Sequence, residues 1–148
     1  MIFDRRISDV KQAESIRKNK VQRGLALSDP EKETLERGTL SFNTLNRVEF
    51  KQAELSSMMR GMGYYVVINN KEWTRDDIFT DADLIRIVEN NKALRNAFYT
   101  YADTPLNAVA RYHYEEFNSL EKILYDLEKM IDYTQNHYRR CGTFECGG

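Results

Sequence analysis

Three stretches of this chain superpose without gaps, and this recurrence constrains the fold more than any other feature. Leu45, Leu84 and Phe117 share one offset, and Val48, Ile87 and Leu120 the next. Leu55, Leu94 and Leu127 follow, then Met59, Phe98 and Ile131. The copies recur after 39 and then 33 residues, within the range of repeat architectures. Their starts agree as well. Leu40/Leu45, Phe79/Leu84 and Tyr112/Phe117 stand at hydrophobic-staple spacing around the expected helix N-termini. Ser41 and Thr80 are placed as N-caps, with Asp83 at N3, and the third helix opens near His113. The offsets 0, 3, 7, 10 and 14 are heptad a/d positions, a geometry for antiparallel bundle packing or self-association. Gln52 and Asn91 interrupt the apolar seam. Two readings stand for them: polar groups that fix register, or a seam that is wet there.

The remaining segments are polar or short. Ser8 is the expected N-cap of a first helix whose weak stripe runs through Ile7, Val10, Ala13 or Glu14, Arg17 and Val21, with Gly24 as its stop. Ser28 and Glu31 have capping-box spacing, Pro30 suits a first helical turn, and Gly38 ends that short helix. Tyr64 to Ile68 is aromatic and β-branched, so it reads as a strand. Asn69-Asn70-Lys71 reads as a turn that brings Glu72-Trp73 back as a small hairpin anchored by Trp73. Asn107 to Arg111 reads as extended, and the third long helix runs to about Tyr138. The expected fold is mainly α: an elongated bundle of about three repeated amphipathic helices with a minor β hairpin. It divides into a polar N-terminal helical arm (1–38), a repeated-helix domain (39–140) and a C-terminal tail (141–148).

Composition narrows the function classes. Hydrophobic residues at 41% and charged residues at 30% suit a folded chain of 148 residues. No apolar run reaches membrane-spanning length. Met-Ile-Phe-Asp-Arg-Arg has no apolar core after its charges, so a signal peptide is not expected and cytosolic synthesis is. Residues 1–24 hold seven Lys/Arg against three Asp/Glu, and the rest hold fifteen against twenty. A basic helical arm can bind nucleic acid. The acidic balance elsewhere, which offers no basic groove for stacked bases, makes nucleic acid a secondary expectation. Protein partners, including further copies of the chain, are the primary one. The residues expected at such contacts are Arg5, Arg6 and Arg17 on the basic arm, the aromatics Trp73, Tyr99 and Tyr101, and Phe144 in the tail.

Signs of chemistry are sparse. His137, Cys141 and Cys146, with His113 as a fourth, could ligate zinc, but no close Cys-x-x-Cys pair is present. A Cys141–Cys146 disulfide would close a small ring, and free thiols are expected. Asp76/Asp77, Asp81/Asp83 and Glu115/Glu116 sit at helix starts, where the helix dipole favours them. No glycine-rich phosphate loop occurs. The expectation is a non-enzymatic protein without metal or cofactor. A small-molecule binder or enzyme remains the alternative class.

One resemblance extends this reading. Leu45-Asn46-Arg47-Val48-Glu49 with Leu55, then Tyr64-Tyr65-Val66, Trp73-Thr74-x-x-Asp77-Ile78, Asp83-Leu84-x-Arg86-Ile87 with Asn90, and Gly142-Thr143-Phe144 form an ordered set. This set resembles small proteins encoded in phage and prophage tail gene regions of Gram-positive bacteria, over roughly residues 30 to 146. The second copy departs with Ile85 in place of Asn46, and the third with Ser119 in place of Arg47. The resemblance implies a structural component of a tail or baseplate, located in the virion or a tail-like particle and contacting other tail components. It implies no reaction.

Overall fold

A computed structural model of the chain describes residues 1–142, with side chains as far as His137. It contains α1 (Ile7–Asn19), a 3-10 turn (Val21–Arg23), α2 (Asp29–Gly38), α3 (Phe42–Gly61), α4 (Asp81–Ala97) and α5 (Tyr114–Gly142). The fold is mainly α, and no strand occurs among the described residues.

Local chemistry sets the helix starts. The Ser41 hydroxyl accepts the Thr44 backbone N–H at 3.3 Å. Thr80 and Asp83 cap each other reciprocally, as Ser28 and Glu31 do at α2. Each pair satisfies amide groups that the first helical turn leaves without partners. The first helix begins earlier than expected. Arg6 rather than Ser8 is its N-cap, because the Asp9 carboxylate accepts the Arg6 N–H at 2.8 Å.

All twelve repeated stripe residues are buried, and α3, α4 and α5 touch one another in every pairing. The ion pairs give the helix directions. On α3 and α5, Arg47 meets Glu121, and one turn on Lys51 meets Glu128. On α3 and α4, Glu49 meets Arg86, and Gln52 meets Asn90. Near the helix starts, Phe79 packs on Tyr112, whose hydroxyl donates to Asp81. Near the helix ends, Tyr64 packs edge-on against Phe98. The three helices therefore run parallel and not antiparallel as expected, because segments 62–80 and 98–113 are long enough to carry the chain back to the starting end. Three copies closed around one axis share a single core. Each seam finds two partners in its own chain.

The expected hairpin over Tyr64–Trp73 does not form. The segment is extended, but its backbone is bonded by side chains of α3 and α4 instead of by itself. Ser56 donates to the Val66 carbonyl, Asn90 accepts the Asn69 N–H and donates to the Asn69 carbonyl, and Glu49 accepts the Lys71 N–H. A lone two-stranded hairpin is marginal in water. Side-chain partners on a rigid helix satisfy the same groups without it.

Gln52, Asn91 and Leu124 share one repeat offset and form a buried layer. Gln52 is fully enclosed and donates to the Ile87 carbonyl at 2.9 Å, so it is a bonded core residue and not a wet position. Asn91 is equally enclosed, but its Oδ1 finds no partner.

α1 and α2 form a helical hairpin whose only fully enclosed side chain is Ala13. Gly38 lets the two backbones meet: a Cβ there would lie 2.3 Å from the Asp9 carbonyl oxygen and 2.4 Å from the Ala13 Cβ. Residues 1–5, in contrast, lie along α5. The expected arm over 1–38 thus has two parts, a segment built into the bundle and a hairpin standing beside it.

Candidate functional site

The most concentrated polar chemistry lies at the starting ends of α3 and α5, and it repeats. Asn46 accepts the Trp73 N–H at 2.7 Å and donates to the Trp73 carbonyl at 2.8 Å. One turn on, Glu49 accepts from the Lys71 N–H and the Trp73 indole N–H. On α5, Asn118 accepts the Arg5 N–H at 3.1 Å and donates to the Arg5 carbonyl at 2.9 Å. One turn on, Glu121 accepts from the Ile2 N–H and the Arg5 guanidinium, both at 2.6 Å. Asn46 and Asn118 share a repeat offset, as do Glu49 and Glu121. Each Asn-x-x-Glu pair therefore clasps one extended segment: 69–73 on α3 and 1–5 on α5.

The carboxylates also tie the helices together. Arg86 of α4 makes a bidentate pair with Glu49 at 2.7 and 2.8 Å. Arg47 of α3 reaches Glu121 at 3.0 Å. Arg86 and Arg47 share an offset, so each arginine pairs with the glutamate of the preceding copy around the axis. Symmetry would place the third pair between Ser119 and Val88, where both charges are replaced.

These bonds decide the fate of the expected contact residues. Arg5 is only 6% exposed and spends its donors on Glu121, Asn118, and the Ile2 and Arg37 carbonyls. It is an internal bonding residue and not a docking cation. Trp73 is buried with its indole N–H on Glu49, so it anchors the segment as expected but offers no outer surface. Arg6 and Arg17 are exposed on the hairpin side. Tyr99 is 68% and Tyr101 41% exposed, both beyond the end of α4. The structure does not bring these four into one site. Phe144 lies outside the described residues, as do Cys146 and the side chain of Cys141. His113 and His137 sit near opposite ends of α5, about 36 Å apart at the helical rise, so they cannot share a metal. Among the described residues no group of three or more metal-ligating side chains occurs.

The paired carboxylates have local duties. Asp77 accepts from the Thr74 N–H and hydroxyl and pairs with Lys71, which together hold its carboxyl down at about 2. Asp83 is lowered chiefly by the Thr80 hydroxyl. Lys20 and the Ser28 N–H hold Glu31 at about 2.

Two of the surface concavities among the described residues flank these clasps. One, of about 230 Å³, lies where the hairpin meets the bundle, between Ile7, Val10, Leu40, Tyr112 and Phe117. The other is a groove of about 660 Å³ between the outer face of α3, at Phe50 and Ala53, and Asn70–Glu72. The latter has a filled counterpart. Lys122 and Tyr125 of α5 share the repeat offsets of Phe50 and Ala53. Phe3 lies over them, with ring centroids 5.1 Å apart on Tyr125 and the Lys122 ammonium 5.6 Å from the Phe3 ring.

Sequence reasoning passed over Asn46, Glu49, Asn118 and Glu121 because the second copy breaks the pattern with Ile85 and Val88, and Arg47 because the third copy carries Ser119 in its place. The signal that could have found them is the agreement of the first and third copies at Asn-x-x-Glu. No protein-family model, curated protein or solved structure matches the chain.

Proposed function

We propose that this protein is a non-enzymatic structural or adaptor component of a phage-tail-like assembly. It binds protein partners there, further copies of itself included, and resides in the virion or tail-like particle. The carrying observation is how the side chains are used. The polar groups best suited to chemistry, Glu49, Glu121, Arg86 and Arg5, are consumed by bonds inside the fold. Large apolar side chains, among them Phe50, Tyr65, Val67, Ile78 and Leu106, stand exposed. A surface with that balance favours association over catalysis. The tail assignment itself comes from the resemblance over residues 30 to 146.

The test is composition. Tail-like particles purified from an induced host should contain the chain in fixed ratio to the tail proteins by quantitative mass spectrometry. Its absence from the particles, together with a strictly monomeric mass at high concentration and no complex with co-encoded tail proteins, would overturn the reading.

A further inference from the structure

The extended segment 64–68 is bonded along one edge and free along the other. Exposure alternates through it: Tyr65 is 79%, Val66 6% and Val67 85% exposed. A period of two belongs to a strand conformation, with Val66 turned into the bundle and Tyr65 and Val67 turned out. In a strand, successive residues also point their backbone groups to opposite edges. The Val66 carbonyl accepts from the Ser56 hydroxyl at 2.8 Å, so the Val66 edge faces α3. The N–H and C=O groups of Tyr65 and Val67 stand on the other edge, and they make no hydrogen bond among the described residues. No strand of the same chain is there to take them among those residues. Tyr-Tyr-Val-Val-Ile is made of strand-favouring residues and holds no charge or proline, the devices that keep a free edge from pairing.

We propose that this edge pairs with the same segment of a second copy, antiparallel about a two-fold axis at Val66. The occupant follows from self-complementarity. In that register Tyr65 lies opposite Val67 of the second copy, and Val67 opposite Tyr65 of the second copy. The free N–H groups of each copy then meet the free carbonyls of the other. Val66 falls at the non-hydrogen-bonded pair, which leaves its carbonyl on Ser56 as observed. Both outward pairs join an aromatic ring to a β-branched side chain, a favourable cross-strand combination. So short a ribbon is a small interface, and the association is weak and concentration-dependent. The inference rests on the reading of the chain as one that binds further copies of itself, and it supplies the contact.

Sedimentation of the full-length protein from about 10 μM to about 1 mM, with amide exchange followed by nuclear magnetic resonance, tests it. A monomer–dimer equilibrium is expected. Protection should rise with concentration at the Tyr65 and Val67 amides and not at Val66, whose N–H lies on the opposite edge. Both outward positions are exposed, so charged side chains there should leave the urea midpoint of the monomer unchanged. Tyr65→Lys with Val67→Lys places lysine opposite lysine and should weaken dimerisation roughly tenfold or more. Tyr65→Glu with Val67→Glu should do the same alone, and the two variants mixed should form a heterodimer. A strictly monomeric mass at the highest concentration overturns the proposal, as does a dimer indifferent to the paired lysines. Protection at Tyr65 and Val67 that appears only when a co-encoded tail protein is added overturns it too, since the edge then belongs to that partner. The two readings fail separately. A chain that stays monomeric yet is present in particles in fixed ratio leaves the tail reading standing. A chain that dimerises through this edge, but is absent from particles and binds no tail protein, keeps the pairing and loses the tail reading.

Discussion

Glu121 has no exposed surface and accepts from two arginines and a backbone N–H. A buried carboxylate with so many donors is only as stable as the groups that hold those donors in place. Asn118 does that for the Arg5 backbone, making one bond in each direction. Asn118→Ala should therefore cost about 1–3 kcal/mol, the range for leaving half-buried backbone groups unpaired. Hydrogen exchange distinguishes this from general weakening: protection should fall at the Ile2 and Arg5 amides and stay unchanged at Val48 to Leu55. Equal loss at both places would mean that the segment is not separately clasped. Asn91 is the converse case. Its Oδ1 is enclosed without a partner, and the third member of its layer is Leu124. Asn91→Leu should raise the midpoint of thermal unfolding, by about 1 kcal/mol of added stability, because it removes an unpaired acceptor and adds apolar burial. A lower midpoint would show that the layer has no room for the added volume.

At the scale of elements, the hairpin of α1 and α2 depends on one close approach. Any Cβ at Gly38 meets the Asp9 carbonyl and the Ala13 methyl inside contact distance, and both belong to helix that cannot shift locally. Gly38→Ala should push α1 away from α2, with amide chemical-shift changes concentrated in residues 7–38 and the bundle's cooperative unfolding preserved. Shifts spread through α4 would refute that separation. Acid should act through the caps. Glu31 and Asp77 fall from ordinary values of 4.5 and 3.8 to about 2 in the fold. Lowered carboxylates stabilise fully above their unfolded values and lose that contribution as pH falls through the folded ones. Thermal midpoints should thus hold steady above about pH 5 and decline towards pH 2, and Lys20→Gln with Thr74→Val should flatten part of the decline. These caps were legible in the sequence because each is settled within four residues. The extended segment 64–73 was not: its β propensity is real, but its bonding partners Asn46, Glu49, Ser56 and Asn90 lie far away in sequence. Local pattern reads the conformation of such a segment and not what it pairs with.

For the molecule as a whole, the repeat determines more than the core. Twelve stripe positions foretold the burial, yet the expected antiparallel packing was wrong, because a heptad seam serves parallel and antiparallel neighbours alike. The parallel arrangement makes the copies equivalent around one axis, so a contact made twice has a defined third place. Arg86–Glu49 and Arg47–Glu121 occupy two of these places, and the repeat assigns Ser119 and Val88 to the third. The geometry therefore predicts the outcome of restoring the missing pair. Val88 is buried, so Val88→Glu alone should destabilise strongly, since it encloses an unpaired carboxylate. Ser119→Arg alone, at a half-buried position, should cost little. Joined in one chain, the two should recover part of the loss, with a favourable coupling of about 1–3 kcal/mol in a double-mutant cycle of urea unfolding. Additive effects would show that the third place is not equivalent to the other two. Recovery would mean that one Arg-to-Glu rule governs all three helix pairs. The departures Val88 and Ser119 would then be matched losses at a single contact, and not unrelated changes in two copies.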